Sequence, residues 1–321
     1  MLRSRYWFHV AVYYRTHLIA GSEGMWNMEM AQEFPSCKVI GIDYQNAIMC
    51  NNMATELDNL HFHYALPRHG TTGLEFLDDN SVDLLMIRDV WMVNSPGFKW
   101  LDVMEQAHRV LKPGGYVESF EQELAVQSPG AHFYMVDQWA GVFFKQIGID
   151  RDITKRIGYY MKQAGLINIH ESIIELPLGE WSPVAGNGSP QLRGPRPSSS
   201  VPNRTPTPSL NSLSPLRRSS GILNSISLSM ARVTHLMVFF PLLAMKESGY
   251  LFRDLMGRRF RVMKPWICEC AGVSDAQATA AIDKAMQECE EAETRMNWRH
   301  YVGQKKPDSD TLLPITPKTK D

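Results

Sequence analysis

Up to about residue 181 the chain alternates short apolar, β-branched runs with stretches whose apolar positions recur at helical spacing. The pattern predicts a short first strand at His17–Gly21 and a helix over Gly24–Phe34, with Met25, Met28 and Ala31 on one face. A strand at Lys38–Asp43, a helix at Ala47–Leu57 and strands at Leu60–Tyr64 and Val82–Ile87 follow. Next come a helix at Trp100–Leu111, a strand at Tyr116–Phe120, helices at His132–Ile147 and Thr154–Ala164, and a strand at Ile167–Leu176. Strands that alternate with helices imply βαβ units and a mainly parallel sheet. Short strands without a polar face fit a sheet covered on both sides.

From Ser182 to about Ser220 the pattern stops. Ser, Pro, Gly, Asn and Arg replace the large apolar residues. Such a stretch cannot bury enough surface to offset its ordering entropy and is expected to be disordered. No acid occurs between Glu180 and Glu247, so the insert is locally basic. Thr205-Pro206, Thr207-Pro208 and Ser214-Pro215 are candidate proline-directed phosphorylation sites, and a solvated insert without a role is the alternative. From about Gly221 helical patterning resumes, with helices expected over Gly249–Glu293, and a polar tail follows Lys306. The expected organisation is a core over 1–181, the insert over 182–220, a helical lid with a closing strand over 221–307, and a tail over 308–321.

Charge changes the picture by exclusion. The 321 residues carry 33 Lys+Arg against 34 Asp+Glu, a net charge of -1. Nucleic-acid binding draws its affinity from neutralised phosphates and a basic excess, so no nucleic-acid partner is expected. Five cysteines are too few and too scattered for a disulfide framework, which favours a reducing, cytoplasmic setting. Cys268-Glu269-Cys270 lacks a second pair at zinc-site spacing, so no metal is expected. The most apolar run, Leu236–Met245, is about half the length a membrane helix needs and contains Pro241. Residues 1–21 carry Arg3, Arg5 and Arg15 and no acid, as mitochondrial presequences do. A strand or helix leading into the fold is preferred there, because cleavage would damage the glycine loop that follows.

Three connections hold the candidate chemistry, since ligands of open parallel sheets bind beyond the C-terminal strand ends. Ala20-Gly21-Ser22-Glu23-Gly24 joins the first strand to the first helix, and Gly21 and Gly24 allow the backbone to approach a ligand. Asp43 closes the run Val39-Ile40-Gly41-Ile42-Asp43, where an acid can accept both hydroxyls of a ribose; capping the next helix is its other reading. Arg109-Val110-Leu111-Lys112-Pro113-Gly114-Gly115-Tyr116-Val117 stops a helix at proline and turns directly into a strand.

Taken in order, these stretches resemble class I S-adenosylmethionine-dependent methyltransferases of the kind abundant in fungi. The resemblance runs through Met25–Pro35, Val39–Asp43, Leu77–Leu84, Arg109–Glu118 and Asn297–Pro307, covering about residues 17–181 and 249–307. It implies an α/β fold: a doubly wound, Rossmann-like, seven-stranded sheet with an antiparallel last strand and a helical lid segment. It implies S-adenosyl-L-methionine as cofactor, held by Gly21, Gly24, Asp43 and Tyr44, with Arg88 and Asp89 bordering the transfer site. The acceptor it implies is a small molecule, for instance of secondary metabolism. Methyl transfer is an in-line displacement that asks mainly for positioning and exclusion of water, so no catalytic residue is singled out. His61, His63 and His108 are candidates by type and read better as packed or surface side chains. Arg253, Met256, Phe260 and Trp266 are candidate lid residues, with ordinary helix packing preferred.

The chain departs from that family in its glycine loop. The family pattern runs acid-x-Gly-x-Gly-x-Gly, whereas Leu18 holds the acid position and Ala20 and Ser22 hold two glycine positions. Ala65-Leu66 stands where an acid for the adenine amine is usual. A methyltransferase-fold protein with impaired catalysis and a binding or regulatory role is the alternative this erosion supports. The insert also separates Glu180-Trp181 from Gly249-Tyr250-Leu251, neighbours in the family. Little sequence precedes the glycine loop where the family has a helical segment, and a mis-assigned reading of the gene, with a replaced first segment and a translated non-coding stretch, would account for this and for the insert; sequencing the mature transcript tests this.

Overall fold

A computed structural model of the chain describes residues 8–14, 25–43, 57–64, 71–88, 99–181 and 242–308. The elements in chain order are β1 (Phe8–Tyr14), α1 (Met25–Glu33), β2 (Cys37–Asp43), β3 (Leu60–Tyr64), β4 (Val82–Arg88), α2 (Trp100–Val110) and β5 (Leu111–Gln127). They continue with α3 (Ala131–Gln146), a short 3-10 turn at Ile153–Arg156, α4 (Ile157–Gln163), β6 (Ile167–Pro177), α5 (Leu242–Ala271), α6 (Asp275–Glu291) and β7 (Arg295–Gln304). The strands lie in the order β3-β2-β1-β4-β5-β7-β6. β1 to β5 pair in parallel, and β7 runs antiparallel between β5 and β6. The Rossmann-like α/β reading of the sequence is therefore met.

One expected strand moves. The first strand of the sheet is Phe8–Tyr14, not His17–Gly21, which lies outside the described residues. The physical reason is length and composition. A strand between β2 and β4 needs an apolar or β-branched run, and Phe8-His9-Val10-Ala11-Val12-Tyr13-Tyr14 supplies seven residues. Leu18-Ile19-Ala20 supplies three. The stretch with a presequence-like composition, where a strand or helix leading into the fold was preferred, thus holds a central strand. Smaller differences follow the same logic. β5 runs on to Gln127 because β7 pairs with it to Arg295, and the expected Thr154–Ala164 helix divides into a 3-10 turn and α4.

The core forms where the pattern places it. Trp100, Val103, Met104, Ala107 and Val110, spaced as one face of α2, are all buried. They pack with β4, whose Leu84, Leu85, Met86 and Ile87 are buried on both faces of the sheet. Asn59 knits the opposite end. Its Nδ2 donates to the carbonyls of Ala31 (2.9 Å), Phe34 (3.2 Å) and Cys37 (2.9 Å), satisfying carbonyls at and after the end of α1 and fixing α1 to β2 and β3.

The motif around Lys112-Pro113-Gly114-Gly115 is structural. Arg109 donates to the carbonyls of Leu77 (2.8 Å) and Leu74 (3.1 Å) and to Asp79 (2.6 Å), pinning the loop that precedes β4 onto α2. Lys112 bonds Asp83 at 2.7 Å. A Cβ at Gly115 would meet the carbonyls of Asp83 and Lys112 at 2.9 Å, so β4 and β5 pair here only with glycine.

The two chain ends that flank residues 182–241 meet in space. Gly179 N–H donates to the Gly249 carbonyl at 3.0 Å, and Glu180 N–H donates to Glu290 at 2.9 Å. A Cβ on Gly249 would lie 1.9 Å from the Gly179 oxygen, so that approach requires glycine. Residues 182–241 themselves lie outside the described residues. Because the fold closes across them, replacing 184–240 by a short Gly/Ser linker should move the melting temperature by less than about 4 °C, the equivalent of about 1 kcal/mol. Loss of cooperative melting by circular dichroism would contradict it.

α6 supplies a second test. Its Ser274 and Gln277 form a reciprocal capping box, and its buried face includes Cys289. Burial pushes the Cys289 thiol up to about 11, and burial likewise raises Cys37. Iodoacetamide at pH 8.5 should therefore label the half-buried Cys268 and Cys270 and spare Cys289 and Cys37 until denaturant is added. Equal native labelling of Cys289, read by mass spectrometry, would refute this packing of α6.

Candidate functional site

Strand order locates the crevice. Successive crossovers lead from β1 to β2 to β3 on one side, and the chain then returns to place β4 on the other side of β1. The direction reverses between β1 and β4, and ligands of such sheets bind at that point beyond the C-terminal strand ends. Tyr14 ends β1 opposite Arg88, which ends β4; Arg88 in turn stands opposite Phe120 of β5. Asp43 ends β2 opposite Tyr64, the last residue of β3.

Two of the six candidate cofactor residues are thus placed, Asp43 and Arg88, each as the final residue of its strand along this edge. Gly21, Gly24, Tyr44 and Asp89 lie outside the described residues. The elements that flank them converge on the same crevice. Residues 15–24 connect β1 to α1, and residues 89–98 connect β4 to α2.

Sequence reasoning missed Asn27. It sits in the first turn of α1, fully buried, and neither its Oδ1 nor its Nδ2 has a hydrogen-bond partner. A Cβ on Gly41 would reach its Nδ2 at 2.8 Å, so the amide packs onto β2 two residues before Asp43. A buried amide without partners costs about 1–3 kcal/mol, and such groups call for an explanation. An amide at the start of α1 beside the acid-bearing end of β2 suits a polar ligand in the crevice.

The wall toward β7 is aromatic and cationic. Arg88 lies over the Phe120 ring at 5.4 Å. Phe120 stacks on Trp298 with ring centroids 4.8 Å apart and meets His300 edge-on at 6.1 Å. Gln122, opposite Trp298 in the β5–β7 register, accepts a hydrogen bond from Arg259 of α5 at 2.8 Å. The Gln122–Arg259 contact was not legible in the sequence, because the two residues are 137 positions apart.

The opposite face carries a buried charge network. Glu123 and Glu171 both take hydrogen bonds from Arg299, Asn297 donates to Glu123 at 3.1 Å, and Tyr301 donates to Glu171 at 2.9 Å. Burial lowers the Arg299 pKa, but the Glu123 carboxylate outweighs it and holds the guanidinium more basic than usual. Burial first, and Glu171 second, raise the Tyr301 phenol. Tyr301 packs against Gly158 of α4, where a Cβ would sit 3.1 Å from its ring. This network ties β5, β6 and β7 together and is structural.

The remaining candidates separate. His63 stacks on Phe76 at 3.5 Å between ring centroids, and burial holds it below the usual imidazole range. His61 is exposed on β3. His108 lies beside Gly165 on α2, lowered by burial and by Lys305. Met256 and Phe260 are core residues, with Phe260 edge-on to Phe133 at 5.6 Å. Arg253 pairs with Glu290, and Trp266 is half-exposed over Phe143 at 5.8 Å. No helix among the described residues is long and apolar enough to cross a membrane.

Residues 19–115 match the family model of a methyltransferase domain. That stretch, rather than the whole chain, is similar to a methyltransferase domain. The match begins in the β1–α1 connection and ends at Gly115, spanning β2, β3, β4 and α2. S-adenosylmethionine is the cofactor of such a domain, and the described residues fit it. The crevice offers an acid-bearing strand end and the orphaned amide of Asn27 on the polar side, with Arg88 across the switch point. No curated protein matches the chain. Among solved structures, Haemonchus contortus phosphoethanolamine N-methyltransferase 2 with S-adenosyl-L-methionine aligns at 13% identity, over 94% of this chain and 49% of that one, with a TM-score of 0.43. This chain thus spans about half the length of the Haemonchus enzyme. Geranyl diphosphate C-methyltransferase of Streptomyces coelicolor, with Mg2+, geranyl diphosphate and S-adenosyl-L-homocysteine, aligns at 10% identity, over 92% and 72%, with a TM-score of 0.40. What carries weight for the methyltransferase domain is the family match together with the strand order.

Proposed function

We propose that the chain is a class I methyltransferase that transfers the S-adenosylmethionine methyl group to a small-molecule acceptor. The observation that carries it is Asp43 at the end of β2, beside the β1–β4 switch point, inside the stretch that matches the methyltransferase model. Asp43 accepts the ribose hydroxyls, Gly21 and Gly24 let the backbone near the cofactor, and Tyr44 flanks the nucleoside. Arg88 and Asp89 border the site of transfer. The cofactor supplies a methyl group on a sulfonium, an electrophile that needs no activation by the protein. The chain's part is to align the acceptor, hold it dry under α5 and α6, and leave proton removal to an acceptor that is already ionised or to a nearby base.

The working unit is one seven-stranded domain over 1–181 and 221–307, with 182–220 as insert and 308–321 as tail. The acceptor class includes small molecules of secondary metabolism, and neither a nucleic-acid nor a membrane partner is part of this reading. A second reading has a specific observation behind it. Ala20 and Ser22 replace glycines in the β1–α1 connection, and a Cβ there crowds a cofactor's approach. On that reading the fold binds without catalysing. Methyl transfer from radiolabelled S-adenosylmethionine to a pool of small-molecule acceptors separates the two: turnover supports the enzyme, and cofactor binding without turnover supports the alternative.

A further inference from the structure

Strand register draws one line across the sheet at the level where β4 ends. Arg88 stands opposite Tyr14 of β1 and Phe120 of β5, Phe120 stands opposite His300 of β7, and His300 stands opposite Ser172 of β6. The line starts at the β1–β4 switch point, and directly opposed residues send their side chains to the same face. On that face Arg88, Phe120, His300 and Ser172 are all partly exposed, whereas Ser119, Glu121 and Tyr301 of the reverse face are buried. A molecule seated beside the cofactor can therefore touch the first face and not the second. His300 brings a carboxylate with it. Its Nε2 lies 3.2 Å from Oε2 of Glu118, two residues further back along β5, and the two side chains are 15% and 13% exposed. A carboxylate only accepts, so in the neutral imidazole Nε2 carries the proton and Nδ1 keeps a lone pair. Nδ1 has no hydrogen-bond partner among the described residues. The ring is also held from a second side. It meets Phe120 edge-on at 6.1 Å, and Phe120 is itself fixed by the Trp298 stack at 4.8 Å and by Arg88 at 5.4 Å.

We propose that the acceptor carries a neutral hydrogen-bond donor, a hydroxyl or an N–H group, that donates to Nδ1 of His300, with its planar body along the aromatic wall of Phe120 and Trp298. This names the acceptor class of the site and rests on the methyl-transfer reading. His300 is then a specificity-determining residue. Glu118 is its positioning residue, because the carboxylate fixes which ring nitrogen bears the proton. A molecule of the same shape whose donor is capped by a methyl group sets one lone pair against another and binds more weakly.

The test uses the full chain saturated with S-adenosylhomocysteine and titrated calorimetrically with phenol, aniline and anisole. Phenol or aniline should bind about tenfold more tightly than anisole, the fold-change of one hydrogen bond made or left unmade, and the tighter of the two tells hydroxyl from N–H. In chain isotopically labelled at its histidine nitrogens, the His300 resonances, assigned by their loss in His300→Phe, should show a protonated Nε2 and a bare Nδ1. The Nδ1 resonance should shift with the tighter donor and stay in place with anisole. His300→Phe, which keeps a ring beside Phe120, should erase the preference while binding S-adenosylhomocysteine as the wild type does. The double variant with Glu118→Gln removes the stranded carboxylate and serves if the single variant does not fold. A protonated Nδ1 in the neutral ring, equal binding of the donors and anisole, no binding of any probe, or a preference that survives the loss of His300 would overturn the proposal. Failure of S-adenosylhomocysteine to bind would instead strike the methyl-transfer reading, and would do so separately from the donor preference, which the same probes report without cofactor.

Discussion

Replacing Arg299 with methionine should destabilise the fold by about 3–5 kcal/mol, the usual cost of stripping one partner from a buried ion pair. The Arg299 side chain is 15% exposed and that of its partner Glu123 only 3%. Removing the guanidinium leaves Glu123 with Asn297 and leaves Glu171 with Tyr301, both neutral donors. Neither offsets a desolvated carboxylate. At about 2–4 °C per kcal/mol for a domain of this size class, the melting temperature should fall by about 6–20 °C. The double variant Arg299→Met with Glu123→Gln should recover part of that loss, because the amide keeps the shape and sheds the charge. An unchanged melting temperature in the single variant would mean that the β5–β6–β7 network is not what joins these strands.

Asp43→Ala should weaken cofactor binding by about 10- to 150-fold, the equivalent of the 1.5–3 kcal/mol of hydrogen bonds to a charged group. Asp43 is the final residue of β2, so melting should stay close to wild type. The two readouts together matter. Lost binding with an intact melt places the residue in the cofactor site, whereas unaltered binding assigns it to capping the segment that follows.

Much of the fold was legible because its signals are local. β2, β3, β4 and α2 fall within a residue or so of their expected bounds, since each is a short apolar run or a stripe at helical spacing. β1 was not, because three arginines and a presequence-like composition hid a run of β-branched and aromatic residues. The string from Arg109 to Gly115 was legible as a tight helix-to-strand connection, and it is one. It holds the loop before β4 through Arg109 and lets β4 and β5 close at Gly115. The site was legible only as strand ends. Asp43 and Arg88 could be placed because strand termini follow from periodicity. Asn27, Trp298 and Arg259 could not, since a buried amide, an orphaned indole and a guanidinium from α5 acquire meaning only when distant segments meet.

The departure of the glycine loop from its family pattern makes cofactor binding the decisive point. Calorimetric titration of the full chain with S-adenosylhomocysteine tests it most directly. Saturable binding to a single site is expected, weakened about 10- to 150-fold by Asp43→Ala. No heat of binding at millimolar ligand would contradict it.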